Sequence, residues 1–194
     1  MTPRPFRRIA VYCGSSTQVD PAYLQAARDV GRALAERGIT TVYGGGRVGL
    51  MGELAEGALA AGGEVVGVIT EKLLSLELSH QGLSELFVTQ GMQSRKTMMA
   101  QLADAFIALP GGWGTLDEFF EAATWAQLNH HMKPVGLLNI KDYYNGLVAF
   151  LMHAEREGFV RPSHAGMIQI AHDLPTLLDL LAKCEIPRLG TWKA

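Results

Sequence analysis

Two cysteines in 194 residues, Cys13 and Cys184, lie near opposite ends of the chain with no C-x-x-C spacing. That excludes a disulfide scaffold and gives no thiolate zinc site to expect. Neither sign of charge dominates: 17 Lys and Arg face 19 Asp and Glu, for a formal net charge of −2. The chain therefore has neither the basic field that a nucleic-acid partner needs nor an acidic tail. No apolar run approaches the roughly 18 residues of a membrane span. Arg4, Arg7 and Arg8 precede no stretch of signal-peptide length, so a cytoplasmic protein with no membrane partner is expected. No G-K-[ST] follows a glycine cluster, which argues against an ATPase. Internal repeats, low-complexity tracts and linkers are likewise missing.

What the chain has is apolar material, 48% of its residues, enough for one large core spanning residues 1–194. Short apolar runs alternate with longer amphipathic stretches from end to end. This is the pattern of an α/β protein with a Rossmann-like, doubly wound parallel sheet flanked by helices in a single domain. Strands are expected at 8–13, 40–43, 64–69, 86–89, 105–109, 135–139 and 168–171. Helices are expected from Asp20 to Arg37, Leu50 to Ala61, Gln93 to Ala103, Leu116 to Asn129, Asp142 to Glu157 and Leu174 to Cys184. Thr70 to Leu83 has no clean period and reads as an irregular loop over one end of the sheet.

In such sheets ligands bind beyond the carboxyl ends of the strands, and the glycines gather there. Gly14-Ser15-Ser16 follows the first strand, Gly44-Gly45-Gly46-Arg47-Val48-Gly49 the second, and Pro110-Gly111-Gly112-Trp113-Gly114-Thr115 the fifth. Backbone N–H groups at a helix start attract anions, and glycine admits a phosphate oxygen with no Cβ in the way. Two such turns on one rim suit a nucleotide. Gly44, Gly46 and Gly49 formally satisfy G-x-G-x-x-G, but they follow the second strand, and Glu64 falls at the start of the third, on the opposite rim. A nicotinamide or flavin cofactor is therefore not expected.

Thr115-Leu116-Asp117-Glu118 reads in two ways. Thr-x-x-Glu opening a helix is a capping box that needs no chemistry. Carboxylates beside an anion-binding turn are nevertheless a conflict, resolved if one is aimed at a neutral sugar or a developing cation. Arg95 and Lys96 open the helix after the fourth strand, where cations oppose the dipole; they are either a solvated pair or contacts to a phosphate or leaving group. Trp113 is either packing for its turn or a wall beside a base. His130 and His131, adjacent on a helix, point about 100° apart, so no metal pair is expected. The Phe119 to Leu128 helix is apolar on more than one face and suggests a subunit interface.

Taken together, Tyr43-Gly-Gly-Gly-Arg-Val-Gly-Leu-Met-Gly52, Gly91-Met-Gln-Ser-Arg95-Lys96, Pro110-Gly-Gly-Trp-Gly-Thr-Leu-Asp-Glu118, Trp125-Ala-Gln-Leu and Lys133-Pro-Val-Gly-Leu-Leu-Asn139 resemble the LONELY GUY (LOG) family over nearly the whole chain. The resemblance implies a cytokinin-activating phosphoribohydrolase, which hydrolyses the N-glycosidic bond of a nucleoside 5′-monophosphate to free base and ribose 5-phosphate. N6-modified adenine nucleotides are preferred in that family, many members accept AMP, and the smaller ones are homodimers with no metal or cofactor.

It also implies that Arg95 and Glu118 are the catalytic pair, and that Lys96 and the stretch Gly112, Trp113, Gly114, Thr115, Leu116, Asp117 bind the nucleotide. Thr124 would lie beside it and Glu77 near the base; Gly45, Gly46 and Gly111 join them from the rim argument. Glu118 would stabilise oxocarbenium-like charge and orient water, while Arg95 would ease departure of the purine or fix the sugar phosphate. Around Glu77 the family's usual Pro and basic residues are replaced by Leu73-Leu-Ser-Leu-Glu-Leu78, which bears on base preference. Two other classes compete. A nucleotide- or cofactor-binding carrier needs only the same glycine turns. A pyridoxal-phosphate decarboxylase would need a Schiff-base lysine, for which neither Lys72 nor Lys96 sits in a suitable sequence.

Overall fold

In the computed structural model, which describes residues 6–76 and 79–188, the apolar runs become strands: β1 (Arg8–Tyr12), β2 (Thr40–Tyr43), β3 (Val65–Thr70), β4 (Glu85–Thr89), β5 (Ala105–Ala108), β6 (Val135–Leu138) and β7 (Ile168–Ala171). All pair in parallel, in the order β4-β3-β2-β1-β5-β6-β7. Every residue of β2, β3, β5 and β6 is buried. Coverage of both faces is why these strands read as continuous apolar runs rather than alternating ones.

The helices are α1 (Pro21–Ala35), α2 (Gly49–Ala60), α3 (Glu71–Ser75), α4 (Met92–Leu102), α5 (Trp113–Gln127), α6 (Asn145–Arg156), α7 (Pro162–Ala165) and α8 (Leu174–Lys183). One core packs α1, α2 and α8 against Ile9, Val11, Tyr43 and Ile107. The other packs α4 and α5 against Ala10, Tyr12, Phe106 and Ala108. Successive strand residues thus feed opposite cores, as the pleat requires. From β1 the chain steps outward through β2 and β3 to β4, and α4 then carries it back to β5 on the other side of β1. The direction of winding reverses between β1 and β5, where a doubly wound sheet opens its crevice.

The structure corrects four local expectations. Within Thr70 to Leu83, expected to be irregular, the Thr70 hydroxyl accepts from the Leu73 N–H and caps the short helix α3. Glu77 itself lies outside the described residues. Helix α5 starts at Trp113 rather than Leu116, with Gly112 as N-cap, so Thr115 is its third residue and caps nothing. Of the two readings of Thr115 to Glu118, the capping box is therefore not formed. Helix α6 starts at Asn145 because Ile140–Asp142 forms a separate 3₁₀ turn, with Lys141 and Asp142 at φ of 52° and 59°. The short α7 falls outside the expected helices, in the connection before β7. Glu64 does lie at the amino-terminal rim, where it accepts from the Thr40 hydroxyl at 3.1 Å. Among the described residues no helix is long and apolar enough to cross a membrane.

Candidate active site

At the reversal point the end of β1 and the end of β5 are tied by Gly14 N–H donating to Pro110 O at 3.1 Å. A cavity of about 270 Å³ opens there, lined by Gly14, Ser15, Ser16, Leu50, Gly111 and Gly112 among others. Two helices start on it, α2 and α5. Asp20, Thr70 and Asp173 cap α1, α3 and α8 with their side chains, whereas Val48 and Gly112, the N-caps of α2 and α5, supply no side-chain bond. The Met51 N–H in the first turn of α2 donates to Gly14 O at 3.3 Å, whereas the leading N–H groups of α5 and the positive dipole ends of both helices are left for a ligand, and the lining holds no charged side chain. Gly111 is required here, because a Cβ on it would lie 2.1 Å from the buried Thr115 hydroxyl.

A second cavity of about 350 Å³ shares Ser15 with the first and is lined by Gly44, Gly46, Val48, Met51, Ile69, Leu73 and Arg95. Its wall is mostly aliphatic. Arg95 enters from α4 with only 8% of its side chain exposed. Its Nε donates to Val68 O at 2.8 Å, Nη2 to Gly44 O at 3.2 Å, and Nη1 to Glu118 Oε1 at 2.8 Å. Any Cβ at Gly44 would collide with Nη2, at 2.2 Å, so the glycine after β2 serves this arginine. One buried cation thus pins β3, the turn after β2, and the first turns of α5 around a single carboxylate.

Glu118 lies on α5, just over one turn past Gly114, its side chain 11% exposed. Burial pushes its carboxyl pKa up; the charge and hydrogen bond of Arg95 oppose this without reversing it. Tyr12 and Cys13, at the end of β1, have their pKa values raised by burial first and by Glu118 second, so both remain neutral. Glu118 and Arg95 form a balanced pair on a floor of uncharged groups.

Beside them, Lys96 Nζ lies 3.0 Å from Asp117 and 3.1 Å from Glu121. Burial depresses the pKa of this ammonium, but the hydrogen bonds to Asp117 and Glu121 outweigh it and the net shift is upward. A Schiff-base lysine needs the opposite. The second candidate for that chemistry, Lys72, is exposed on α3. The cations that looked misplaced at the start of α4 are therefore answered across the helix pair, by carboxylates of α5.

Of the sequence-derived residues, Gly111 and Gly112 line the first cavity and Gly46 and Arg95 the second, with Glu118 on Arg95, Thr115 against Gly111, and Lys96 and Asp117 paired nearby. Gly45 and Gly114 line neither, and Leu116 packs against the core. Trp113 is 91% exposed at the head of α5, which removes the packing reading. Thr124 is not with Glu118: six residues further along the helix, it faces an apolar groove of about 240 Å³ lined by Phe120, Val148, Met152 and Phe159. Sequence reasoning missed Tyr143, whose ring lines the first cavity and whose hydroxyl donates to Gly111 O at 2.7 Å. A partner 32 residues away leaves no local signal.

Fold and site define a doubly wound α/β protein with a glycine-walled cleft and one buried arginine–carboxylate pair. Residues 51–181 match the family model described as "Possible lysine decarboxylase". The chain belongs to that family, the LONELY GUY proteins. It is 47% identical, over 87% of its length and 85% of the relative's, to the cytokinin riboside 5′-monophosphate phosphoribohydrolase of Rhodococcoides fascians. It is 46% identical to a protein of the same name from Arabidopsis thaliana, over 93% of this chain and 82% of that one. Among solved structures, the molybdenum cofactor carrier protein of Chlamydomonas reinhardtii superposes with a TM-score of 0.70 at 25% identity, covering 92% of this chain and 100% of that one.

Proposed function

We propose that this chain hydrolyses the N-glycosidic bond of N6-modified adenosine 5′-monophosphates, and of AMP, releasing the free base and ribose 5-phosphate. The observation that carries this reading is that one helix, α5, offers uncapped N–H groups to an anion at its start and a buried, arginine-held carboxylate about one turn later. A monophosphate in the Gly14 and Gly111 lobe would bring the ribose past Glu118. The base would enter the lobe of Val48, Met51, Ile69 and Leu73, whose aliphatic wall suits an alkyl substituent on N6.

In the reaction the bond from C1′ to the base nitrogen breaks and its electron pair leaves with the base. A water oxygen bonds to C1′, and the proton it gives up passes through Glu118 to the departing base. Glu118 stabilises the oxocarbenium-like charge and orients that water, in the manner of glycosidase carboxylates. Arg95 holds the carboxylate in place; its contacts to Val68, Gly44 and Glu118 favour this over a grip on the phosphate. Lys96 acts through Asp117. Trp113 stands as an exposed aromatic wall at the mouth. Glu77 keeps the role near the base that the family resemblance implies.

The active form is a cytoplasmic homodimer in this reading. Phe120, Met152 and Phe159 are exposed around the Thr124 groove, and a second subunit seated there would account for both their exposure and the distance of Thr124 from its own Glu118. Incubation with AMP and with N6-isopentenyl-AMP, followed by separation of products, tests the reaction: free base is expected. A cofactor carrier, the reading that the Chlamydomonas neighbour favours, releases none. A monomer in light scattering at micromolar concentration would refute the dimer.

A further inference from the structure

The turn after β6 is built under backbone strain. Lys141 and Asp142 are consecutive non-glycine residues in the left-handed region, at φ of 52° and 59°. Strain of this kind persists where surrounding contacts over-determine it. Here Asn139, buried at the end of β6, accepts from the Tyr144 N–H at 2.7 Å and donates to Asn145 Oδ1 at 2.8 Å. Lys141 ion-pairs with Asp20, the N-cap of α1, and its ammonium lies 5.6 Å from the centre of the Tyr23 ring.

The turn delivers two adjacent tyrosines to the strand end that precedes α5. The Tyr144 hydroxyl donates to Leu109 O at 2.6 Å and the Tyr143 hydroxyl to Gly111 O at 2.7 Å. With Gly14 N–H on Pro110 O, three successive carbonyls of the turn are held from outside. The two tyrosines differ in kind. Tyr144 is buried and lines neither of the two cavities at the site, whereas Tyr143 forms part of the wall of the phosphate lobe, its ring edge-on to Tyr23 at 5.9 Å.

A trans peptide is planar, so the C=O of Gly111 and the N–H of Gly112 point in opposite directions. Fixing one fixes the other. The Gly112 N–H belongs to the uncapped head of α5 and has no hydrogen-bond partner among the described residues. We propose that Tyr143 is a positioning residue for the ligand's phosphate: its hydroxyl sets the Gly111–Gly112 peptide so that the donors heading α5 meet a phosphoryl group. The proposal rests on the phosphate lobe assigned above.

The test compares wild type, Tyr143→Phe and Tyr144→Phe by calorimetric binding of ribose 5-phosphate and by steady-state base release from AMP. Losing one neutral hydrogen bond corresponds to an effect of roughly three- to tenfold. For Tyr143→Phe, the Kd for ribose 5-phosphate and the KM for AMP should rise together by that factor, with kcat within about twofold of wild type. Tyr144→Phe should lower the unfolding temperature and leave Kd and KM unchanged. Unchanged binding in Tyr143→Phe, or a fall in kcat at constant Kd, overturns the proposal. Should Tyr143→Phe fold poorly, Tyr143→Leu carries the same comparison. Failure of wild type to release base would strike the catalytic reading instead, and the ribose 5-phosphate titration would still decide the role of Tyr143.

Discussion

Replacing Arg95 by Met isolates what the buried pair contributes. The substitution keeps most of the side-chain volume but strips the partner from Glu118, a carboxylate only 11% exposed, and leaves the carbonyls of Val68 and Gly44 without their donors. Breaking a buried ion pair from one side costs about 3–5 kcal/mol, and each abandoned buried acceptor about 1–3 kcal/mol. These overlap, so a net loss of about 4–6 kcal/mol is expected, a large share of the roughly 5–15 kcal/mol that holds a domain folded. Adding Glu118→Gln removes the stranded charge, and the double variant should recover about 2–3 kcal/mol over Arg95→Met alone. Urea unfolding followed by tryptophan fluorescence gives all four stabilities. A cost for Arg95→Met below about 1 kcal/mol, or strict additivity in the double variant, would show that the pair is not coupled as described.

Glu118 also makes a pH prediction of definite sign. Its native pKa is raised, so the folded state holds that proton more tightly than the unfolded chain does; its contribution to stability is largest at acid pH and declines as pH rises through the native value. Activity runs the other way. The acid limb of kcat/KM should fall at a pH above the ordinary carboxylate value and should be absent from the residual activity of Glu118→Gln. Gly111→Ala forces a methyl against the Thr115 hydroxyl and should cost about 1–3 kcal/mol in thermal or urea unfolding, with weaker binding of ribose 5-phosphate. Lys96→Met should change the KM for AMP by less than about threefold, because its ammonium is already neutralised by Asp117 and Glu121; a tenfold rise would restore Lys96 as a direct phosphate ligand.

The strand positions follow from features that sequence carries well, whereas their order in the sheet comes from the structure. Buried parallel strands are continuous apolar runs, and glycines mark their carboxyl ends. The glycine rim and the candidacy of Glu118 were therefore legible. What was not legible depends on pairs of distant residues. Thr115-x-x-Glu118 matches a capping box, and only the early start of α5 at Trp113 shows Thr115 to be interior and Glu118 free to meet Arg95. Arg95 and Lys96 looked uncompensated on α4 because their counter-charges lie more than 20 residues away on α5. Trp113, which by type could pack its turn or stand as a wall beside a base, is exposed by position. Thr124 shares a helix with Glu118 but not a face, a distinction that the periodicity contains and the motif obscured.

The central claim is that Glu118 turns a nucleotide-binding cleft into a glycosidic hydrolase. The most direct measurement is the rate of base release from N6-isopentenyl-AMP by wild type and Glu118→Gln, alongside calorimetric binding of ribose 5-phosphate to both. Loss of a preorganised electrostatic group typically costs a factor of about 10²–10³ in kcat. The account predicts a fall of at least that size with the Kd for ribose 5-phosphate within about threefold of wild type, as expected for a group that acts mainly in the transition state. Base release at the wild-type rate from Glu118→Gln, or no base release from the wild-type protein, would contradict it.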